Sequence, residues 1–200
     1  RGKPTTWYVY GEAMGTLAGD GLVLEALTVA GRAVGQSRHP ERAARALAIL
    51  GEKSGVGGML GGQSVDVEKT GEHLDATTLD FIYRLKTGAL LEAAFMMGAA
   101  LGGASEAEIS CAEQIGRAVG LAFQIQDDIL DETATEAELG KPLHSDEKNQ
   151  KTTYVSLFGL EAAREAVRQQ SEAAEQRLRE FPGETETLAA LIAYLTDRRF

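Results

Sequence analysis

The sequence predicts an all-α protein, a helical bundle around a central cavity. Three observations predict it: apolar residues recur at helical spacing through long stretches, Pro and Gly punctuate those stretches, and strand alternation appears nowhere convincingly. Helical segments are expected from Thr6 to about Ala30, from Pro40 to Lys53 and, through a Gly-rich piece, as far as Glu68. An apolar helix is expected from Leu79 to Leu101. Ser105-Glu106-Ala107-Glu108 reads as a capping box, after which Ile109, Ala112, Ile115, Val119, Ala122, Ile125 and Ile129 recur every three or four residues. At a rise of about 1.5 Å per residue, residues 105 to 131 would span roughly 40 Å, the length of a large-bundle helix. Leu157 to Phe181 reads as a further helix with a charged outer face, and Pro182-Gly183 introduces a last one from Thr185 to Asp197. No repeat or low-complexity linker divides the chain, which predicts one helical domain over residues 1–200.

Composition bounds the partners. Twenty Lys and Arg against 30 Asp and Glu give a formal charge of −10, which argues against a nucleic-acid surface and against binding anionic lipid by charge. Any anionic ligand must be held by local cations. No apolar run reaches the ~18 residues needed to span a bilayer without meeting a charge, so no stable membrane anchor is expected. The single cysteine, Cys111, cannot form an internal bridge and fits a reducing, cytoplasmic setting. His39, His73 and His144 lack zinc-site spacing.

Chemistry concentrates in three clusters and a weaker motif upstream of them. Phe123-Gln124-Ile125-Gln126-Asp127-Asp128-Ile129-Leu130-Asp131 sets three carboxylates in an apolar helical stretch, where unpaired acids are costly. On a helix Asp127 and Asp131 share a face with Asp128 beside them, so their oxygens can converge on one hard divalent ion. Near a helix C-terminus the dipole disfavours negative charge, which strengthens the need for a cation. Gly140-Lys141 and the polar run to Thr153, including Lys151, follow within about twenty residues of the acids. Acids with nearby lysines point to Mg²⁺ bridging carboxylates to a diphosphate, because magnesium keeps waters and binds phosphate oxygens more often than it enters an all-protein cage. In Arg84-Leu85-Lys86-Thr87-Gly88, Lys86 interrupts an apolar helix and needs an anion. Gly61-Gly62-Gln63-Ser64-Val65-Asp66 places an amide and an acid after a stretch that permits close helix approach.

Taken in order, these motifs resemble the trans-prenyltransferases, the polyprenyl diphosphate synthase family that includes farnesyl and geranylgeranyl diphosphate synthases. Arg1-Gly2-Lys3-Pro4-Thr5 and the segment Gly11 to Asp20 resemble the stretch after the family's first aspartate-rich motif, and Phe123 to Asp131 resembles its second. The resemblance implies an isoprenoid-synthase-type bundle, a homodimer, and head-to-tail condensation of isopentenyl diphosphate with an allylic diphosphate (dimethylallyl, geranyl or farnesyl). It assigns Asp127, Asp128 and Asp131 to Mg²⁺, Lys86 and Lys141 to the allylic diphosphate, and Lys151 to the basic side of the site. Thr87 and Gln124 would face the developing cation, Gln63 and Asp66 would line the same pocket, Arg1 would hold isopentenyl diphosphate, and Phe123 would pack beside it. It also implies that the first aspartate-rich motif precedes Arg1, so the chain reads as the remainder of a longer protein and is expected to be inactive alone. Alternatives are a class I terpene cyclase, disfavoured because lysines follow Asp131 where a second metal motif is needed, and a catalytically incomplete regulatory or scaffold subunit.

Overall fold

The computed structural model describes residues 3–133 and 151–196, and over these residues the chain is helical with no strand. A short α1 (Thr6–Tyr10) leads into α2 (Glu12–Gln36), with Gly11 at φ 85° between them. Then come α3 (Pro40–Ser54), α4 (Met59–Glu68), α5 (Ala76–Ile82), a π-helical turn (Tyr83–Gly88), α6 (Ala89–Gly102) and α7 (Glu106–Thr133). After the segment 134–150, which lies outside the described residues, follow α8 (Tyr154–Phe158), α9 (Leu160–Glu180) and α10 (Glu186–Thr196). The expected first helix therefore breaks at Gly11 and runs six residues further than Ala30.

Helix starts follow local chemistry. Pro40 opens α3, where its missing N–H costs nothing. Asp75 caps α5 by accepting from the Thr78 N–H at 2.7 Å. The capping box before α7 forms as expected: the Ser105 N–H donates to Glu108 Oε2 at 2.6 Å, and the Glu108 N–H donates to Ser105 Oγ at 3.3 Å. Gly103, at φ 88°, ends α6 in the left-handed conformation.

The bundle is organised on α7, which packs against α6 on one side and α9 on the other; α3 covers α6, α2 covers α3, and α10 closes on α7 and α9. Each residue of the predicted apolar stripe of α7, from Ile109 through Ile129, is buried. Three core clusters succeed one another along it: Ile109 with Ile49 and Met96, then Ile115 and Val119 with Leu178 and Ile192, then Ile125 and Ile129 with Leu79, Ile82 and Val167. At about 1.5–3 kcal/mol for each fully buried aliphatic side chain, this helix carries much of the hydrophobic stabilisation.

An ionic quartet centred on the buried Glu92 ties α3, α6 and α7 together. Glu92, 3% exposed, accepts from Lys53 Nζ and from Arg117 Nε at 3.0 Å, while Lys53 also donates to Glu113 at 2.6 Å. Burial alone would lower the Lys53 ammonium, but its hydrogen bonds to Glu113 and Glu92 outweigh that and hold it above the ordinary lysine value. Arg164, Arg168 and Arg179 instead form exposed pairs along α9 with Glu161, Glu165, Glu172 and Glu175.

No residue of α2 is buried. This helix holds an 18-residue window of mean hydropathy 1.3, and so is long and apolar enough to cross a membrane by length and composition. Asp20 and Glu25 sit in its middle, however, and an acid at a bilayer centre costs about 2.5–3.5 kcal/mol. Packing of α2 on α1 and α3 is the better use of the helix.

Two glycines decide how close the backbones come. A Cβ on Gly62 would lie 2.3 Å from the Lys86 backbone nitrogen, and one on Gly120 would lie 2.8 Å from the Gly88 Cα, so α4 and α7 both rest on the π-turn backbone. Gly62→Ala should therefore lower stability by about 1–3 kcal/mol in urea denaturation, the usual cost of overpacking. Gly19→Ala on α2, where a methyl meets open space, should instead be neutral or stabilising by up to about 1 kcal/mol.

Candidate active site

The stretch expected as one helix from Leu79 to Leu101 departs from regular winding at Tyr83–Gly88. Such π-turns widen the helix and occur frequently at functional sites. The widened turn brings Tyr83, Lys86 and Thr87 into the wall of one cavity of about 260 Å³. The C-terminal part of α7 supplies Gln124, Asp127 and Asp128, α4 supplies Asp66, and the segment leading into α8 supplies Lys151, Thr152 and Thr153.

On the basic side, Lys86 Nζ donates to Asp66 Oδ2 at 2.5 Å, and Lys151 Nζ approaches the same oxygen at 3.3 Å. One carboxylate thus gathers two ammonium groups from distant parts of the chain. Burial would raise the Asp66 carboxyl, but the Lys86 hydrogen bond and the charges of Lys151 and Lys86 overcome it and hold the group below the ordinary carboxylate value. With one negative and two positive charges the trio is net cationic, in a chain whose overall charge is −10.

Beside it lies a neutral pair: Thr87 Oγ1 donates to Gln124 Oε1 at 2.8 Å. Gln124 Nε2 in turn donates to Asp128 Oδ1 at a longer 3.4 Å. Asp128 is 4% exposed, and its other oxygen accepts from Tyr83 Oη at 2.5 Å and from the Tyr154 N–H at 2.8 Å. Asp127 is half-buried and lines the cavity, while Asp131, 6% exposed, does not. Three carboxylates were expected to converge on one point; among the described residues no group of three acidic, His or Cys side chains is gathered for a metal ion. Their exposures differ: Asp127 and Asp128 share the cavity wall, Asp127 half-exposed and Asp128 buried, while Asp131 is buried outside it.

Seven of the twelve residues singled out in the sequence meet here: Asp66, Lys86, Thr87, Gln124, Asp127, Asp128 and Lys151. Gln63 is half-buried on α4, one turn before Asp66, and is not part of this cavity wall; three residues of helix move it roughly 4.5 Å towards the start of α4. Phe123 is half-buried but also outside the wall, since neighbouring helical residues point about 100° apart and Gln124 holds the inward position. Arg1 and Lys141 lie outside the described residues. Tyr83 was missed. A tyrosine in an apolar run, one turn before a lysine, is a signal for it, because a buried phenol needs a hydrogen-bond partner.

The Asp66 cluster sets a pH dependence. A carboxyl held low in the folded state stabilises the fold above its unfolded pKa, and that contribution disappears as pH falls through the lower folded value. Wild-type protein should therefore melt higher than Asp66→Asn at pH 7, with the gap closing as pH drops below the ordinary value of 3.8. Thermal melts of both proteins from pH 7 to pH 3 measure it, and a gap that persists in acid would contradict the assignment.

Comparison with known proteins fits this geometry. The Polyprenyl synthetase family profile matches residues 1–195. The chain is 40% identical over 179 residues to the farnesyl diphosphate synthase of Geobacillus stearothermophilus, covering 90% of this chain and 60% of that protein. It is 40% identical over 210 residues to geranylgeranyl pyrophosphate synthase 9, chloroplastic, of Arabidopsis thaliana, covering 99% of this chain and 56% of that protein. Among solved structures, geranylgeranyl pyrophosphate synthetase from Pyrococcus horikoshii superposes with a TM-score of 0.85 at 29% identity, over 99% of this chain and 71% of that one. A geranyltransferase from Helicobacter pylori, complexed with magnesium and isoprenyl diphosphate, superposes with a TM-score of 0.78 at 27% identity, over 98% of this chain and 62% of that one. The chain spans about 60% of the length of such curated relatives. By profile, sequence and fold, it belongs to the polyprenyl synthetase family.

Proposed function

We propose that the full-length protein carrying this chain condenses isopentenyl diphosphate head-to-tail with an allylic diphosphate to give a short-chain all-trans prenyl diphosphate. One observation carries the reading: Lys86 and Lys151, gathered on Asp66, share a cavity with Asp127 and with the neutral Thr87–Gln124 pair. Cations for a leaving diphosphate, an acid for a metal ion and uncharged oxygens for a carbocation are thus in one place.

Lys86 and Lys151, joined by Lys141, bind the allylic diphosphate and neutralise charge that grows as its C–O bond breaks. The donors at the cavity suit magnesium, being hard oxygens that include the half-exposed Asp127 carboxylate, since Mg²⁺ takes one or two carboxylates and draws further ligands from phosphate and water. When bound, it supplies Lewis-acid stabilisation of the departing diphosphate, with Asp127 holding it and Asp128 and Asp131 behind. Thr87 and Gln124 present oxygen dipoles to the allylic cation without a strong nucleophile that would trap it. The double bond of isopentenyl diphosphate, held by Arg1 with Phe123 alongside and Gln63 nearby on α4, then attacks the cation, and a proton is lost. The relative complexed with magnesium and isoprenyl diphosphate supports the reading by analogy. A cytoplasmic setting goes with it, in keeping with one cysteine and a bacterial farnesyl diphosphate synthase among the relatives.

Assembly as a homodimer belongs to the same proposal. Trp7, Tyr8, Leu17, Leu22 and Leu24 stand 59–76% exposed on α1 and α2, with Leu17 and Leu24 on one face of α2, and so much exposed apolar surface needs cover.

Labelled isopentenyl diphosphate with each allylic starter, followed by product sizing, tests the activity in the full-length protein. Asp127→Ala should lower prenyl transfer by at least about 100-fold with an unchanged helical circular dichroism spectrum, and Lys86→Ala should raise the KM for the allylic diphosphate. Unaltered turnover in Asp127→Ala rejects the role. In sedimentation equilibrium the protein should show twice its chain mass, reduced to one by the pair Leu17→Asp and Leu24→Asp; a monomeric wild type removes the homodimer.

A further inference from the structure

Within the proposed site one acid is used in a way that its sequence motif does not announce. Asp128 is almost fully buried, and its carboxylate is met on both oxygens by groups of this chain: Tyr83 Oη and the Tyr154 N–H on Oδ2, and Gln124 Nε2 on Oδ1. These donors come from the π-turn, from the start of α8 and from the preceding turn of α7. We propose that Asp128 is a positioning residue, which with Tyr83 anchors the Lys151–Tyr154 segment and sets the hydrogen-bond polarity of the Thr87–Gln124 pair.

The polarity follows from donor counting. An ionised carboxylate only accepts, so the Gln124 amide must turn its nitrogen towards Asp128 and its oxygen away. That oxygen receives the Thr87 hydroxyl proton at 2.8 Å. Thr87 Oγ1 is left with lone pairs and no proton to direct into the cavity, which is the orientation that stabilises a neighbouring positive centre. Were the amide reversed, its nitrogen would meet Thr87, the hydroxyl proton would be released towards the cavity, and a cation there would face a donor.

The anchoring follows from chain geometry. The Tyr154 N–H bound by Asp128 belongs to the first residue of α8, whose preceding residue, Thr153, forms a reciprocal cap with Ser156. Thr152 Oγ1 accepts from the Leu74 N–H at 3.0 Å on the opposite side. Lys151 is thus delivered to Asp66 by a segment fastened at two points, one of them Asp128. Tyr83 adds its ring to the core cluster formed by Ile82, Ile125 and Ile129, so the phenol that meets Asp128 is itself held by packing.

This inference rests on the proposed prenyl transfer only for its kinetic consequence; the anchor itself can be read without substrate or metal. Hydrogen exchange in the full-length protein, without Mg²⁺, should show the Tyr154 amide exchanging about 10-fold faster in Tyr83→Phe and in Asp128→Asn, with the amides of residues 122–125 unchanged. Asp127→Asn should leave Tyr154 protected. Unchanged Tyr154 exchange in both variants overturns the anchor, and so does equal acceleration of the core amides, which would mean general loosening. In steady-state assays Tyr83→Phe should lower kcat by about 10-fold, and Asp128→Asn by more, without moving the Mg²⁺ concentration for half-activation, whereas Asp127→Asn should raise it. A half-activation shift in Asp128→Asn equal to that in Asp127→Asn would make Asp128 a direct metal ligand and overturn the positioning role. If the wild type shows no prenyl transfer, the functional reading fails, and the exchange measurement still decides the anchor.

Discussion

Where the Tyr83–Gly88 turn meets α4 and α7, backbone lies against backbone. Gly62 lets α4 rest on the Lys86 amide, and Gly120 lets α7 approach Gly88, with no side chain between. The cavity depends on that closeness. It sets Asp66 within hydrogen-bonding reach of Lys86 and Thr87 within reach of Gln124, at 2.5 and 2.8 Å. Side chains as short as Asp and Thr reach a partner on another helix only when the helices nearly touch, so small residues in the interface are the condition for polar contacts in the site.

Electrostatics works against the bulk charge of the molecule. A chain of net charge −10 is a poor host for diphosphates unless positive groups are concentrated and partly removed from water, where their attraction is stronger than at the surface. Asp66 does the concentrating. By accepting from Lys86 and Lys151 together it offsets much of their mutual repulsion, while its own charge is too small to cancel both. The same logic explains the arrangement of the acids on α7: a buried carboxylate needs donors, and Asp128 has Tyr83, Tyr154 and Gln124, whereas Asp127 is half-exposed.

Much of this could be read from the chain. Periodicity located α7 and its buried stripe, and the Ser105–Glu108 box marked its start almost to the residue. Motif order brought Asp66, Lys86, Thr87, Gln124 and Asp127 to one cavity before any coordinates did. What escaped has a common physical cause: helical periodicity assumes an unbroken 3.6-residue repeat. The π-turn at Tyr83–Gly88 breaks that repeat, so neither the inward direction of Tyr83 nor its bond to Asp128 could be projected from a helical wheel. An acid-rich motif likewise gives spacing but not burial. Spacing put Asp127, Asp128 and Asp131 on one stretch of helix, and the fold leaves Asp127 half-exposed and Asp128 buried at the cavity wall, with Asp131 buried outside it.

The Lys53–Glu92–Glu113–Arg117 quartet sets the molecule's relation to its ionic surroundings. Two positive and two negative groups cancel within a few ångströms, and of these the Lys53–Glu92 pair lies furthest from water while Arg117 is half-exposed, so mobile ions gain least access to Lys53 and Glu92. The Arg–Glu ladder on α9 is open to solvent and is screened readily. Brine would consequently loosen the rim at α9 and the Arg117 arm while leaving the Lys53–Glu92 clasp between α3 and α6 shut, so the molecule has a salt-indifferent heart beneath a salt-responsive coat.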